Sequence, residues 1–578
     1  MNKVWRSYMV VAVFGMLASP AWGVTAQWAV SAGFPGTANK VVTDAQGNVY
    51  VTGSTYSADT VAATSTADML TVKYDSNGVK LWEVTYDGPE GGADAGAALV
   101  VDLTGNVYVA GSSYFVNPQP HYGALCATVV KYSSAGEQLW VSRYPDSNHF
   151  SAASSIDVDA SGDVYVALTS VYDYASGNAI DGITVKYWAI DGSRLWKYYM
   201  AYPGPLGYTD DFVGKLMVKD GFVYTSGTFG GGTHGYGLNY RNSLVWKFTL
   251  DGQLVHLNTF DGGGADYAHD FTVDGQGNVY LASMSDRLLT GTTMWDAYEF
   301  DYVTTKFDAA GQMLWTSRYN DAGLGNHRPT SIAVDAVGSV YVTGDSDGDG
   351  TGKDLATVKY DADGALLWAD RYNGTANGDE TGGSVLIGQT GDVFVSGTSS
   401  NAGTGLDYTA VKYSEDGAHQ WTALHGTNAE ETAASAALGP NGALVVTGSR
   451  TDDAGGIPQF LTVSFVEVVI DIKPGTFPNT INPRAKGVVP VAVLSNASLD
   501  AASVVPASVR FGVIGTEAAA RHYALADVNY DGQADLVLHF PVQLTGIVCG
   551  TKTGILTGST TLGWAFNASD SIVTPGCK

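Results

Sequence analysis

Nine residues near the C-terminus carry the clearest chemistry in this 578-residue chain. In Asp527-Val528-Asn529-Tyr530-Asp531-Gly532-Gln533-Ala534-Asp535, oxygen-bearing side chains fall at loop positions 1, 3, 5 and 9. Gly532 at position 6 allows a sharp turn, and Gln533 at position 7 offers a backbone carbonyl. Alternating oxygens that point into a turn suit a hard cation such as calcium. Leu538 stands at position 12, where a bidentate acidic side chain would close such a loop. The reading is a weak calcium site of Asp527, Asn529, Asp531, Gln533 and Asp535, whose task is to fold its module. A less complete loop, Asp345-Ser346-Asp347-Gly348-Asp349-Gly350, offers Asp345, Asp347 and Asp349. It meets Lys353 where a later ligand is wanted, and no acidic residue closes it.

Other polar side chains lie between apolar, strand-like runs. Tyr114, His121, Tyr122, His234, Tyr236, Tyr240, Trp295 and Tyr298 occupy three long, unequal segments. Aromatic rings beside hydrogen-bonding groups suit sugar rings or peptide segments. Connecting segments hold Asp94, His149, Asp210, Asp211, Asp266, His269, His327, Asp379, Glu380, Glu430 and Glu431. Such residues can ring the mouth of a channel, although no metal-ligand spacing is present. No nucleophile–base pair, paired-carboxylate signal or vicinal cysteine pair is visible. The expectation is a protein that is not an enzyme and holds no organic cofactor.

The elements that position these groups repeat. Seven stretches read Asp-x-x-Gly-Asn-Val-Tyr-Val-x-Gly, a variable segment, then Asp-x-x-Thr-Val-Lys-Tyr-Asp-x-x-Gly-x-x-Leu-Trp, with substitutions. The clearest runs from Asp44 to Trp82. In it, Asn39–Thr43, Val49–Thr52, Leu70–Tyr74 and Leu81–Tyr86 read as four strands, joined at two places by tight turns that need Gly47 and Gly78. The Lys-aromatic pair recurs at Lys73, Lys131, Lys186, Lys247, Lys306, Lys359 and Lys412. Trp82, Trp140, Trp196, Trp315, Trp368 and Trp421 follow, with His256 in the fourth copy. Trp reads as a packing wedge between neighbouring copies, and the Asp68-type residue as a cap for loop amides. Cys126 replaces that Asp in the second copy and reads as a small buried residue.

A four-stranded unit repeated at this period predicts an all-β fold, an eight-bladed β-propeller with seven blades as the alternative. An incomplete eighth copy, Ala443–Gly448 and Phe460–Phe465, lacks a Trp strand. An orphan strand, Gln27-Trp28-Ala29-Val30-Ser31, supplies one, and its addition closes the ring and removes open edges. The two turn types then share one end of the strands. The variable segments share the other, which is the natural place for recognition.

The repeats resemble the bacterial β-propeller repeat family called SBBP, whose signature has this order of motifs, over roughly Trp28 to Phe465. The resemblance implies an architecture and assigns no catalytic residue. Gly-x-x-Leu-Trp is also similar to the docking motif of quinoprotein-like propellers. After Phe465 a new pattern opens at Val468-Val469-Ile470-Asp471-Ile472-Lys473-Pro474-Gly475. It resembles a small β-domain found at the C-termini of secreted bacterial proteins. Its Asp527 loop resembles the calcium loops of dockerin-like and FG-GAP proteins.

The expected organisation is a signal peptide over 1–23, a propeller over 24–466 and a β-sandwich-like domain over 467–578. Lys3 and Arg6, the apolar run Met9–Leu17 and the small residues Ala21 and Gly23 read as an export signal. Secretion or a periplasmic location favours a disulfide between Cys549 and Cys577. The net charge of -27 argues against nucleic acid and anionic membranes as partners. No later segment is long and apolar enough to span a membrane. A monomeric binding or surface-interaction protein for a glycan, peptide or protein is expected. A quinoprotein-like or polysaccharide-lyase enzyme and a structural element of an envelope assembly are the alternatives.

Overall fold

Each repeat is organised by turns that satisfy their own polar groups. Asp44 Oδ1 accepts the backbone N–H groups of Gln46 and Asn48, each at 2.9 Å. Its Oδ2 accepts Asn48 Nδ2 at 2.7 Å and the Tyr50 hydroxyl at 2.9 Å. One carboxylate therefore sets the turn and anchors a fully buried tyrosine on the next strand. Burial alone would raise the Asp44 pKa, but hydrogen bonds from Asn48, Tyr50 and Gln46 outweigh it and hold the group below its ordinary range. Asp102–Tyr108, Asp159–Tyr165, Asp274–Tyr280 and Asp335–Tyr341 repeat the hydroxyl contact at 2.9–3.2 Å. Gly47 and Gly78 take φ of 80° and 78°, the left-handed region that these turns require.

The computed structural model describes residues 22–56, 67–116, 123–144, 150–171, 180–200, 211–231, 240–286, 299–320, 325–348, 350–452 and 456–575. Among them the regular structure is β, apart from three short 3-10 turns in the C-terminal region. The chain forms two compact units, one of Ala26–Val466 and one that contains the chain from Glu467 on.

In the first unit, the second repeat forms an antiparallel sheet of Ala95–Val101, Val107–Val116, Gly123–Tyr132 and Gln138–Arg143, in chain order. Five more such sheets start at Phe150–Val158, Asp211–Lys219, Asp266–Val273, His327–Val334 and Thr381–Ile387. The ends of the array share a strand. Trp22–Thr43 pairs through Gly36–Thr43 with Val49–Tyr56, and it also lies next to Gln459–Ile472. Ser464 Oγ donates to Gln27 Oε1 at 3.1 Å along that second pairing. The sequence suggests two separate strands here, but the structure joins them into one. No Asp-x-x-Gly turn interrupts this stretch, and the φ of Pro35 is compatible with extended chain.

Trp28 confirms how the ends meet. Its Nε1 donates to Ser76 O at 3.1 Å, and its ring lies on Gly78, where an added Cβ would sit 2.6 Å away. Trp315 makes the same contact with the following repeat, donating to Ala362 O at 2.9 Å and covering Gly364. The N-terminal strand thus performs, between the last and first repeats, the contact made elsewhere between neighbours. The N- and C-terminal strands thus mix in one sheet, a propeller-like arrangement. The opening strands of eight successive repeats line one cavity of about 790 Å³. Each of those strands carries a register shift of the β-bulge type.

In the second unit, Val469–Ile472 pairs with Val488–Leu494, which pairs with Asp535–Pro541 and then His522–Ala526. A second sheet orders Ala518–Ala519, Arg510–Gly512, Thr553–Ser559 and Ala565–Ser571. One apolar core serves both and includes Ile472, Val491, Phe511, Leu538, Phe540 and Leu556.

The Trp–Gly contact is tested by two alanine substitutions. Gly364 and Gly442 have φ of 86° and 76°, but only Gly364 faces a ring; a Cβ at Gly442 meets nothing within 4 Å. Gly442→Ala is expected to lose about 1–2 kcal/mol in denaturant unfolding. Gly364→Ala is expected to lose about 1–3 kcal/mol more, through overpacking. Equal losses would show that the ring does not constrain the turn.

Candidate functional site

The repeated side chains are occupied within the frame. Lys131 Nζ and Trp140 Nε1 both donate to Ala189 O, at 2.8 and 3.2 Å. Lys306 and Trp315 share Ala362 O, and Lys359 and Trp368 share Glu415 O. The same lysines lie 4.9–5.1 Å from the ring centres of Tyr108, Tyr280 and Tyr341. His256 fills the wedge position against Gly311, and its Nε2 has no hydrogen-bond partner among the described residues.

Polar groups with another arrangement gather where the third strand begins and the linker to the next repeat passes. Asp94, Asp211, Asp266, His327, Glu380 and Glu431 are at most 1% exposed. The sequence suggests a channel mouth for these linker residues. The structure instead buries these six, because the linker is stitched to the preceding repeat, whereas His269 lines the cavity and Asp379 and Glu430 are exposed. Glu380 N, for example, donates to Lys353 O at 2.7 Å. At two of these junctions an arginine neutralises the Asp that starts the third strand. Arg318 lies 2.9 Å from Asp301, and Arg371 lies 3.0 Å from Asp354. Both arginines stand three residues after the Trp. In the first repeat that position is Thr85.

At this first junction Asp68 meets Asp87 and the fully buried Asp94, with one oxygen from each within 4.8 Å of the others. Asp94 accepts Gly88 N at 2.7 Å and Tyr114 N at 3.1 Å, which fixes its orientation. Burial, then Asp87 and Asp94, raises the pKa of Asp68. Three converging carboxylates with hard oxygen donors can coordinate a metal ion. Sequence reading singled out Asp68 and Asp94 for other roles and missed Asp87. No spacing signal singles it out: the position of Thr85 also lacks arginine in the third, fourth and seventh repeats, at Tyr199, Thr259 and Leu424.

The other expected groups fall as follows. The Asp527 loop closes on itself: Asp527 Oδ1 accepts Asp531 N at 3.2 Å and Oδ2 accepts Gly532 N at 3.0 Å. Asn529 Nδ2 donates to Asp531 Oδ2 at 2.9 Å, and Asp531 Oδ1 accepts Gln533 N at 2.8 Å. Asp527, Asn529, Asp531 and Gln533 are open to solvent or nearly so. Asp535 is buried and accepts Ser495 N and Val528 N, which ties the loop to its sheet. Asp345 is 2% exposed and paired with Arg328 at 3.1 Å, with Lys353 at 3.7 Å. Two cations therefore face the carboxylate that a metal would need. Asp347 accepts Asn326 N at 2.8 Å, and Asp349 lies outside the described residues.

Tyr114 is half-buried, and its ring covers Gly92 of the linker. His121, Tyr122, His234, Tyr236, Trp295, Tyr298, His149, Asp210 and Cys577 lie outside the described residues, as do residues 1–21 and the side chain of Tyr240. Cys549 is disulfide-bonded, and Cys126 is a buried free thiol whose pKa burial pushes up. Among the described residues, no helix is long and apolar enough to cross a membrane. Sequence reading also missed a charged group in the cavity: Lys40, Asp157, Lys215 and Asp270.

No protein-family model matches the chain, and no curated protein matches it in sequence. Among solved structures, the WD40 domain of SCAP from fission yeast aligns over 77% of this chain and 98% of its own, at 9% identity and a TM-score of 0.40. The plexin A4 extracellular region aligns over 94% of this chain at 8% identity and a TM-score of 0.38. The alignment spans 62% of that plexin region. A protein of unknown function from Dyadobacter fermentans aligns over 77% of this chain and 99% of its own, at 11% identity and a TM-score of 0.35. These are distant likenesses of a sheet-rich, repeated architecture.

Glu380 gives the junctions a measurable pH signature. Its Oε1 accepts Ser400 N at 3.1 Å, while Oε2 has no hydrogen-bond partner among the described residues. Burial, with Asp354 and Asp379 nearby, pushes its pKa up to about 7. The folded state therefore favours the protonated acid. That stabilisation is full below the ordinary glutamate pKa and is lost as pH rises through about 7. The melting temperature is expected to fall by a few degrees between acidic and mildly alkaline buffer. The fall should be shallower in Glu380→Gln; an unchanged slope would place the titration elsewhere.

Proposed function

We propose that this chain is an exported, non-enzymatic binding protein built on an eight-bladed propeller of the SBBP type. Ligands would be recognised at the end of the blades where the unequal loops leave. An all-β architecture is consistent with a binding or structural role. What favours binding at this end is the convergence of Asp68, Asp87 and Asp94, which come from a third-strand start and an inter-repeat linker. That meeting places the two long connections of a repeat together, on a scaffold whose repeated residues are already engaged. The lining of one cavity by eight opening strands supports the blade count.

Calcium is the proposed ion. At the first junction it would take the place that arginine fills beside Asp301 and Asp354, and it would offset the burial and then the repulsion from Asp87 and Asp94 that raise the Asp68 pKa. In the C-terminal unit it would bind the turn formed by Asp527, Asn529 and Asp531, with Asp535 holding that turn in place. Glycans and peptides are the proposed ligand classes, because sugar rings and extended segments match the aromatic loop residues.

Calorimetric titration with calcium tests the metal reading. Calcium at about a hundred times its dissociation constant is expected to add about 2.7 kcal/mol to the stability of the unit that binds it, and a chelator should remove that gain. Asp68→Asn with Asp87→Asn should delete one binding event, and Asp527→Asn with Asp531→Asn another. Unchanged stoichiometry in both pairs would overturn it. Glycan and peptide arrays probed with and without calcium test the ligand class. Turnover of a polyanionic glycan, or co-purification with a fixed partner and no small ligand, would replace the reading.

A further inference from the structure

The cavity enclosed by the opening strands is chemically uneven. The β-bulges align eight equivalent positions: Lys40, Ala98, Ser155, Lys215, Asp270, Ser331, Ser384 and Ser435, all of which line it. Serine or alanine is the common occupant, and charge appears at three positions. A bulge re-aims the side chain beside it, and here the re-aimed residue lines the cavity.

The charges are not equally engaged. Lys215 Nζ lies 2.8 Å from Asp270 Oδ1 and donates to Phe271 O at 2.9 Å. Asp270 accepts Phe271 N at 2.8 Å and Ile332 N at 3.0 Å. Asp157, two positions along its strand from Ser155, accepts Val158 N at 2.8 Å and Val218 N at 2.7 Å. His269 also lines the cavity, but burial lowers its pKa to about 4, so it is neutral near pH 7. Lys40 is different: its ammonium has no hydrogen-bond or ion-pair partner among the described residues. Burial, then Lys215, pulls its pKa below the ordinary lysine value, with Asp270 opposing. The Ser331, Ser384 and Ser435 hydroxyls likewise have no partner among the described residues. In repeat order round the closed array, Ser435, Ser384 and Ser331 lead away from Lys40 through the eighth, seventh and sixth repeats.

We propose that the cavity binds a small oxyanion, a phosphate or a carboxylate, held by the Lys40 ammonium and the hydroxyl arc of Ser435, Ser384 and Ser331. An unpaired ammonium inside a protein of net charge -27 contributes nothing to solubility, and its desolvation is unfavourable until a counter-charge arrives. Phosphate and carboxylate oxygens accept from ammonium and hydroxyl donors alike, and charge-assisted bonds are the stronger ones. Lys215 is less suited because Asp270 already neutralises it. The site is separate from the loop end and does not depend on the function proposed for it.

Calorimetry on the full chain tests this, with inorganic phosphate, sulfate and acetate as separate probes. One saturable event is expected for phosphate, acetate or both, and the arm that saturates at lower concentration identifies the anion class. Lys40→Met should weaken it by about tenfold or more, Ser384→Ala by about threefold, and Lys40→Arg far less than Lys40→Met. Lys80→Met, at a solvent-facing ion pair with Glu83, should leave it unchanged. On reductively methylated native protein, carbon NMR should show the Lys40 pKa rising when the anion is added, a readout that needs no cavity variant to fold. The proposal is overturned if no probe saturates, if Lys40→Met binds as tightly as the native chain, or if the Lys40 pKa does not move.

Discussion

The first unit depends on one backbone carbonyl per junction. In several neighbouring pairs a lysine and a tryptophan from one repeat both donate to the same carbonyl in the second turn of the next. The carbonyl is free because the turn is tight and glycine lets the ring come close. The lysine is held by a tyrosine ring, and that tyrosine by the Asp of the first turn. Turn, strand, wedge and neighbour therefore belong to one chain of contacts, and each residue of the repeated pattern is needed by another.

That constraint explains the closure. A wedge needs a following turn, and a turn left uncovered exposes a glycine and a carbonyl that the other repeats bury. The first repeat has its turn at Ser76 and Gly78, and no fourth strand of another repeat covers it among the described residues. Trp28 supplies the missing wedge from the N-terminal strand, while that strand also pairs with Gln459–Ile472. The same residue thus satisfies the first turn and the last sheet, and the edges at both ends are covered together.

Local chemistry was legible in the sequence; chemistry between repeats was not. Gly47 and Gly78 mark turns because few other residues accept their backbone angles, and the fixed distance to Trp82 gives the strand order. The orphan Trp28 could be matched to a missing strand for the same reason. The linker residues were harder. Asp94 and Glu380 look like exposed loop acids, and only the stitching of the linker to the preceding repeat shows that they are buried. The Asp68, Asp87 and Asp94 group joins a strand start to a linker. The cavity group joins strands hundreds of residues apart, through bulges that shift which side chain faces inward. No spacing rule within one repeat contains either.

A repeated frame also turns exceptions into information. Where a position is filled the same way in most copies, the frame sets its identity. Where one copy departs, the frame does not explain the change and the departure needs a local cause. His256 departs and still fills the wedge, and Cys126 departs and is buried, so packing accounts for both. Thr85 stands where the fifth and sixth repeats carry the arginine that neutralises the third-strand Asp, and here three carboxylates meet instead. Lys40 departs by placing an unpartnered cation where serine or alanine is usual. At the first junction the carboxylates meet without an ion-pair partner among the described residues, and in the cavity the Lys40 ammonium has none. Repetition thus directs attention to the irregular copies as the places where the proposed ligands would bind, because the frame already accounts for the regular ones.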